Sequence, residues 1–210
     1  MWNSLMNTAL DYIVKKFNLD LAKALPIQIP GIGRNGLAEL FFELGFTQGA
    51  EIGVDRGAFS EMLCKLNPKL HLTSIDSWST HSFEDPHNSS STMQVQFENH
   101  YQSAVRRLSR YNCDIVRKES LTAVKKIADN SLDFVYIDAN HNFAKIANDL
   151  YEWQKKVRPG GIISGHDYLH FPPSKDNHVK DVVDAFVKAF EINPSFELGQ
   201  DRYHSWFWVK

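Results

Sequence analysis

The 210-residue sequence predicts an α/β fold: a mostly parallel sheet with helices on both faces, preceded by an N-terminal helical extension. Three observations lead there. Short apolar runs around Ala50–Val54, Leu70–Ile75, Phe134–Ile137 and Gly161–Ser164 have strand length, and each precedes a segment with apolar residues at helical spacing. Three of these runs end in acidic or imidazole side chains, at Asp76, at Asp138-Ala139-Asn140-His141 and at Gly165-His166-Asp167. Phe134-Val135-Tyr136-Ile137 carries no side-chain polar atom except the tyrosine hydroxyl, as expected of a central parallel strand covered on both faces.

Composition is consistent with one globular unit. A content of 43% hydrophobic and 12% aromatic residues supplies a full core. The expected division is a helical extension at 1–34 and a catalytic domain at 35–210. A formal net charge of -2 gives no basic footprint for nucleic acid, so a small-molecule partner is expected. Cys64 and Cys113 form no Cys-x-x-Cys pair and sit in apolar stretches, which indicates packing rather than a disulfide framework or a zinc site. The N-terminus lacks a basic segment followed by an apolar one, and no run reaches the about 18 apolar residues that span a bilayer. A cytoplasmic protein with no membrane partner is the expectation.

In chain order, residues 4–17 place Leu5, Ala9, Tyr12, Ile13 and Phe17 on one helical face, which packs on the domain or on a second copy of the chain, leaving room for a homo-oligomer. Leu25 to Gly33, with two prolines and two glycines, reads as an extended connection. A helix then runs from an N-cap at Asn35 through Leu37, Leu40, Phe41 and Leu44 to a stop at Gly45.

The next stretch, Ala50 to Ser60, reads as a buried strand, a turn with Gly53 and Gly57, and the start of a helix carrying Phe59, Met62, Leu63 and Leu66. Glycine at both positions lets a ligand approach the backbone, and the helix points its free N–H groups to the same place. The pattern is Glu-x-Gly-x-x-x-Gly, not the Gly-x-Gly-x-x-Gly that seats a pyrophosphate, which argues against a dinucleotide. Asp76, with Ser77 beside it, ends the second strand about 20 residues on, where an acid can accept hydrogen bonds from ribose hydroxyls. Trp78 covers the nucleoside or packs in the core.

Residues 79–93 form a long polar stretch that reads as a flap, with His81 and His87 more simply solvated than functional. Phe97, Tyr101, Val105 and Leu108 define a helix whose other face, with Arg106, Arg107 and Arg110, reads as solvated. Asp114–Val116 is a third strand, followed by Glu119 and Ser120, with Ser120 as an N-cap. After the fourth strand, a helix with Phe143, Ile146, Ala147, Leu150, Trp153 and Val157 on one face ends at a Pro-Gly-Gly turn. The fifth strand follows at Gly161–Ser164, then a helix near Lys180–Phe190 and a closing hairpin at Phe196–Gly199 and Ser205–Val209.

The glycine turn resembles the first motif of class I S-adenosylmethionine (SAM) dependent methyltransferases. The span Ser131–Tyr168 resembles the subgroup that includes macrolide-sugar and catechol-type O-methyltransferases. That resemblance implies a Rossmann-like seven-stranded sheet in the order 3-2-1-4-5-7-6, SAM as cofactor, and a hydroxylated small molecule as acceptor. It implies cofactor contacts from Glu51, Gly53, Asp55, Gly57, Ser60, Asp76, Ser77, Glu119, Ser120 and Asp138. It also implies a divalent metal such as magnesium on Asp138 and Asp167 with His166 beside them, although an imidazole there suits manganese, iron or zinc better. His141 matches a general base and Asp138 assists it; histidine titrates near the operating pH of such a reaction. The alternatives are a SAM-binding module without catalysis and, less well supported by the glycine pattern, a nicotinamide-dependent oxidoreductase.

Overall fold

The computed structural model describes residues 8–79, 91–169 and 177–210. Helix α1 (Thr8–Phe17) buries Ala9 and Ile13 and leaves Tyr12 exposed. Strand β1 (Ile27–Ile29) precedes α2 (Arg34–Glu43), β2 (Gln48–Ile52), α3 (Ala58–Leu66) and β3 (His71–Asp76). Then come α4 (Ser91–Leu108), β4 (Cys113–Arg117), the short α5 (Ser120–Ala123), β5 (Leu132–Ile137) and α6 (Phe143–Trp153). The chain closes with β6 (Val157–Gly165), α7 (Val179–Ala189), β7 (Ser195–Leu198) and β8 (Ser205–Val209).

The eight strands among the described residues form one sheet in the order β1-β7-β8-β6-β5-β2-β3-β4. Only β8 runs antiparallel, to both β6 and β7. Without β1, this is the expected seven-stranded order read from the other edge. The correction is β1 itself. Ile27 and Ile29 are buried while Gln28 is exposed, so the supposed connection is a short strand that pairs in parallel with β7.

Strand alternation divides the core between the two faces. Phe134 and Tyr136 of β5 pack with α1, α2 and α3, while Val135 and Ile137 pack with α5, α6 and α7. Trp206 and Trp208 join the second group as expected, and Phe207 joins the first.

Four local expectations change. Helix α6 ends at Trp153 and Val157–Gly165 is one strand, because the Pro159-Gly160-Gly161 segment, with Gly160 at φ +77°, forms a bulge inside it: Leu132 pairs with Val157 and Phe134 with Ile162, while Gly160 and Gly161 bond to Lys210. Phe143, expected on the buried face of α6, is 51% exposed. Helix α2 starts one residue before Asn35, and its first N–H is donated by Arg34 to the Asp201 carboxylate at 2.7 Å, from the β7–β8 connection. Arg107 and Arg110 are not merely solvated: they grip the buried Glu61 of α3 at 2.7 and 2.6 Å. The expected flap lies largely outside the described residues, and His81 and His87 lie wholly outside them.

Candidate active site

The glycine turn sits where β2 hands over to α3. Gly53, Asp55 and Gly57 all have positive φ, at +92°, +50° and +77°. The turn is held from behind. Asp76 Oδ2 accepts N–H bonds from Val54 at 2.9 Å and Asp55 at 3.0 Å, and its Oδ1 accepts from Trp78 at 2.9 Å. Gly53 donates to the Ile75 carbonyl and Gly57 to that of Val54. Four turn N–H groups are therefore spent inside the protein. A pyrophosphate needs such donors, whereas the amino-acid end of a sulfonium cofactor needs a surface without Cβ atoms, and the second is what this turn offers. Trp78 is 1% exposed, stacks edge-on against Tyr101 and donates its indole N–H to the Asp55 carbonyl, so it packs beneath the turn.

Beneath the turn, Ser60 is fully buried and donates its hydroxyl to Glu51, with Ser74 2.9 Å away. Burial pushes the Glu51 carboxyl well above the usual carboxylate range, only partly offset by Ser60. Ser60 thus fixes Glu51 from the core side of the turn. The exposed Asp55 carboxylate meets His100 of α4 at 2.6 Å. Ser77 follows Asp76 at the same rim, half-buried.

Neighbouring β5 and β6 bring the second group of residues together. Asp138 follows β5 and donates its N–H to Ile52 O at 2.7 Å, which ties it to the end of β2. Asp167 follows β6 with φ of +57°. His141 Nε2 lies 2.8 Å from Asp167 Oδ2, and donor atoms of Asp138, His141 and Asp167 all lie within 4.8 Å of one another. The converging trio thus contains His141, where the sequence reading grouped His166 with the two aspartates. His166 points Nδ1 at Asp167 Oδ1, 3.3 Å away, and at Asp138 Oδ1, 3.8 Å away. Its Nε2 is buried with no hydrogen-bond partner among the described residues.

The two acids differ in charge state because their surroundings differ. Burial, with Asp167 adding repulsion, pushes Asp138 up to about 6, against the opposing pull of His166, Arg34 and His141. Asp167 is also partly desolvated, but the imidazoles of His141 and His166 outweigh that and hold it well below the ordinary range. The Asp167 hydrogen bond raises His141 above its ordinary value. The result is an ionised carboxylate that orients an imidazole, beside a second carboxyl that titrates near neutrality. Two carboxylates and one imidazole also form a donor set that a divalent ion accepts.

Two expected cofactor residues stand apart from this cluster. Ser120 does not cap α5; its hydroxyl donates to Asp149 and accepts from the Trp153 indole at 2.8 Å. Glu119 takes the N-cap position without a side-chain cap bond and is exposed at the end of β4. Arg34 was missed by sequence reasoning. Its guanidinium lies 3.8 Å from Asp138 Oδ2 and 5.5 Å from the centre of the Phe59 ring.

The profile of a family described as methyltransferase domain matches residues 50–168. A search of curated proteins finds no significant match. Among solved structures, a provisionally named caffeoyl-CoA O-methyltransferase from Staphylococcus aureus is 15% identical over 96% of this chain and 90% of its own, with a TM-score of 0.62. An O-methyltransferase from Bacillus cereus, solved with S-adenosylhomocysteine, is 15% identical over 100% and 94%, with a TM-score of 0.61. The O-methyltransferase TomG from Streptomyces achromogenes, involved in tomaymycin synthesis and solved with SAM, is 19% identical over 100% and 92%, with a TM-score of 0.60. At these identities the likeness is one of fold.

Proposed function

Since the chain belongs to the methyltransferase domain family, whose profile covers more than half of it, we propose that it moves the methyl group of SAM onto a hydroxyl of a small molecule. The observation that carries this reading is the dyad of His141 and Asp167, 2.8 Å apart, at the same sheet edge as the glycine turn. A hydroxyl is a poor nucleophile near neutral pH, and loss of its proton during attack on a sulfonium methyl lowers the barrier. His141 receives that proton. The ionised Asp167 holds the ring and stabilises the imidazolium that forms. The rest is positioning: holding nucleophile and methyl in line is worth on the order of 7–11 kcal/mol at best.

A second reading rests on the convergence of Asp138, His141 and Asp167. These three would hold a divalent ion, and such an ion, when bound, supplies positive charge that favours the deprotonated form of an acceptor hydroxyl. His141 would then serve as a ligand instead of a base. The acceptor class, a hydroxylated small molecule, is supported by the names of the structural relatives and by a formal net charge of -2, which gives no basic excess for nucleic acid.

Calorimetric titration with S-adenosylhomocysteine and with NAD tests the cofactor. We expect micromolar binding of the first and none of the second. NAD binding, or silence toward S-adenosylhomocysteine, overturns the reading. Manganese titrated into the protein and into Asp167→Asn decides between base and ligand. Binding that disappears in the variant supports the metal, and no binding in either leaves His141 as the base.

A further inference from the structure

Arg34 occupies a position that the chain goes to some length to fix. Its N–H is donated to Asp201, and Gly33 before it has no room for a side chain, since a Cβ there would lie 2.2 Å from Asp201 Oδ2. Gln200 donates to the Ile32 carbonyl at 3.1 Å, so both sides of the turn into α2 are anchored to the β7–β8 connection. The guanidinium consequently stands over Phe59, in the first turn of α3, and its charge acts on Glu51 at the end of β2 and on Asp138 at the end of β5. Those strand ends flank Gly53. Arg34 is therefore a permanent cation beside the strand ends that carry the glycine turn.

Its ion pair with Asp138 leaves its donors largely unused. At 3.8 Å the nearest Asp138 oxygen is too far for a hydrogen bond, and the Arg34 side chain remains 39% exposed. A guanidinium offers five N–H donors in a planar fork that matches a carboxylate, and here it is held over the Phe59 ring by a cation–π contact. Asp138 and Arg34, 3.8 Å apart beside the turn, pair an acid with a cation. That charge pattern is complementary to an amino-acid zwitterion.

We propose that Arg34 binds the α-carboxylate of the methionine portion of SAM, and is a cofactor-anchoring residue of this site. The assignment rests on the SAM reading above. Its test uses two ligands, S-adenosylhomocysteine and S-adenosyl-3-thiopropylamine, which is the same molecule without the carboxylate. In the unmodified protein the carboxylate should strengthen binding about ten- to a hundredfold, the range for hydrogen bonds to charged groups. Arg34→Ala should lose that preference, binding S-adenosylhomocysteine about ten- to a hundredfold more weakly while holding the amine analogue as before. Arg34→Lys should recover part of the loss.

Retained binding of the amine analogue by Arg34→Ala also shows that the variant is folded. Equal weakening of both ligands, or no change in either, overturns the assignment and leaves the SAM reading standing. Failure of the unmodified protein to bind either ligand overturns both.

Discussion

A Cβ placed on Gly53 would lie 2.0 Å from the Asp138 carbonyl oxygen and 2.5 Å from its carbon, and the residue's φ is +92°. Gly45 has φ of +69° with nothing within 4 Å of the same built atom. The pair separates backbone strain from crowding. Gly45→Ala should lose about 1–2 kcal/mol of stability, the cost of a left-handed L-residue, with unchanged affinity for S-adenosylhomocysteine. Gly53→Ala adds an overlap with backbone that cannot rotate away. It should lose more than about 3 kcal/mol, combining strain with overpacking, and displace Asp138 so that binding is lost. Urea denaturation and calorimetry of both variants check this; equal behaviour of the two would remove the Gly53–Asp138 contact from the site. Sequence showed the glycines and the strand-end acids because each is a local signal. It did not show that Asp76 gathers two N–H groups of the turn together with that of Trp78, or that Arg34 faces Asp138, since those relations exist only after the strands are aligned.

Between elements, Glu61 is the clearest case of a contact that local pattern conceals. Helical periodicity assigned the arginines after Val105 to a solvated face, because it knows only which side of a helix is apolar. The structure packs α3 beside α4, and the carboxylate of Glu61, 7% exposed, meets Arg107 and Arg110. Arg110 first, then Arg107, holds it down to about 2 from an ordinary 4.5. A carboxyl whose folded pKa is depressed adds stability that is present above its unfolded pKa and is lost as pH falls through its folded one. The window here runs from about 4.5 down to about 2. Both arginines are substantially exposed, so screening reduces the contribution to about 1 kcal/mol. Glu61→Gln should therefore be less stable than the unmodified protein at pH 7, with the gap closing as pH approaches 2. Urea midpoints across that range measure it, and a gap that stays constant would mean that the arginines do not stabilise the ionised carboxylate.

At the scale of the molecule, short strands alternating with helices made the mostly parallel α/β class legible, and the resemblance of the glycine turn and of Ser131–Tyr168 to a known family supplied the strand order. What escaped was β1: three residues between Pro26 and Pro30 carry too little pattern, and their partners, Phe196 to Leu198, lie at the far end of the chain. The same sheet couples the two halves of the core. Phe41 of α2 stacks on Phe134 at 4.0 Å on one face, and Leu150 of α6 is fully buried with Val135 on the other, so successive residues of β5 serve both. Neither half can melt while the other keeps its strands. Phe41→Ala and Leu150→Ala should each cost about 3–5 kcal/mol, the range for large buried side chains truncated to alanine. Phe41 and Leu150 belong to separate core clusters on opposite faces of the sheet, so the double variant should lose the sum to within about 0.5 kcal/mol. Each single variant should still unfold in one urea transition, with far-ultraviolet dichroism and tryptophan fluorescence superimposed. A split transition, with one probe changing before the other, would instead make the two faces of the sheet separate folding units.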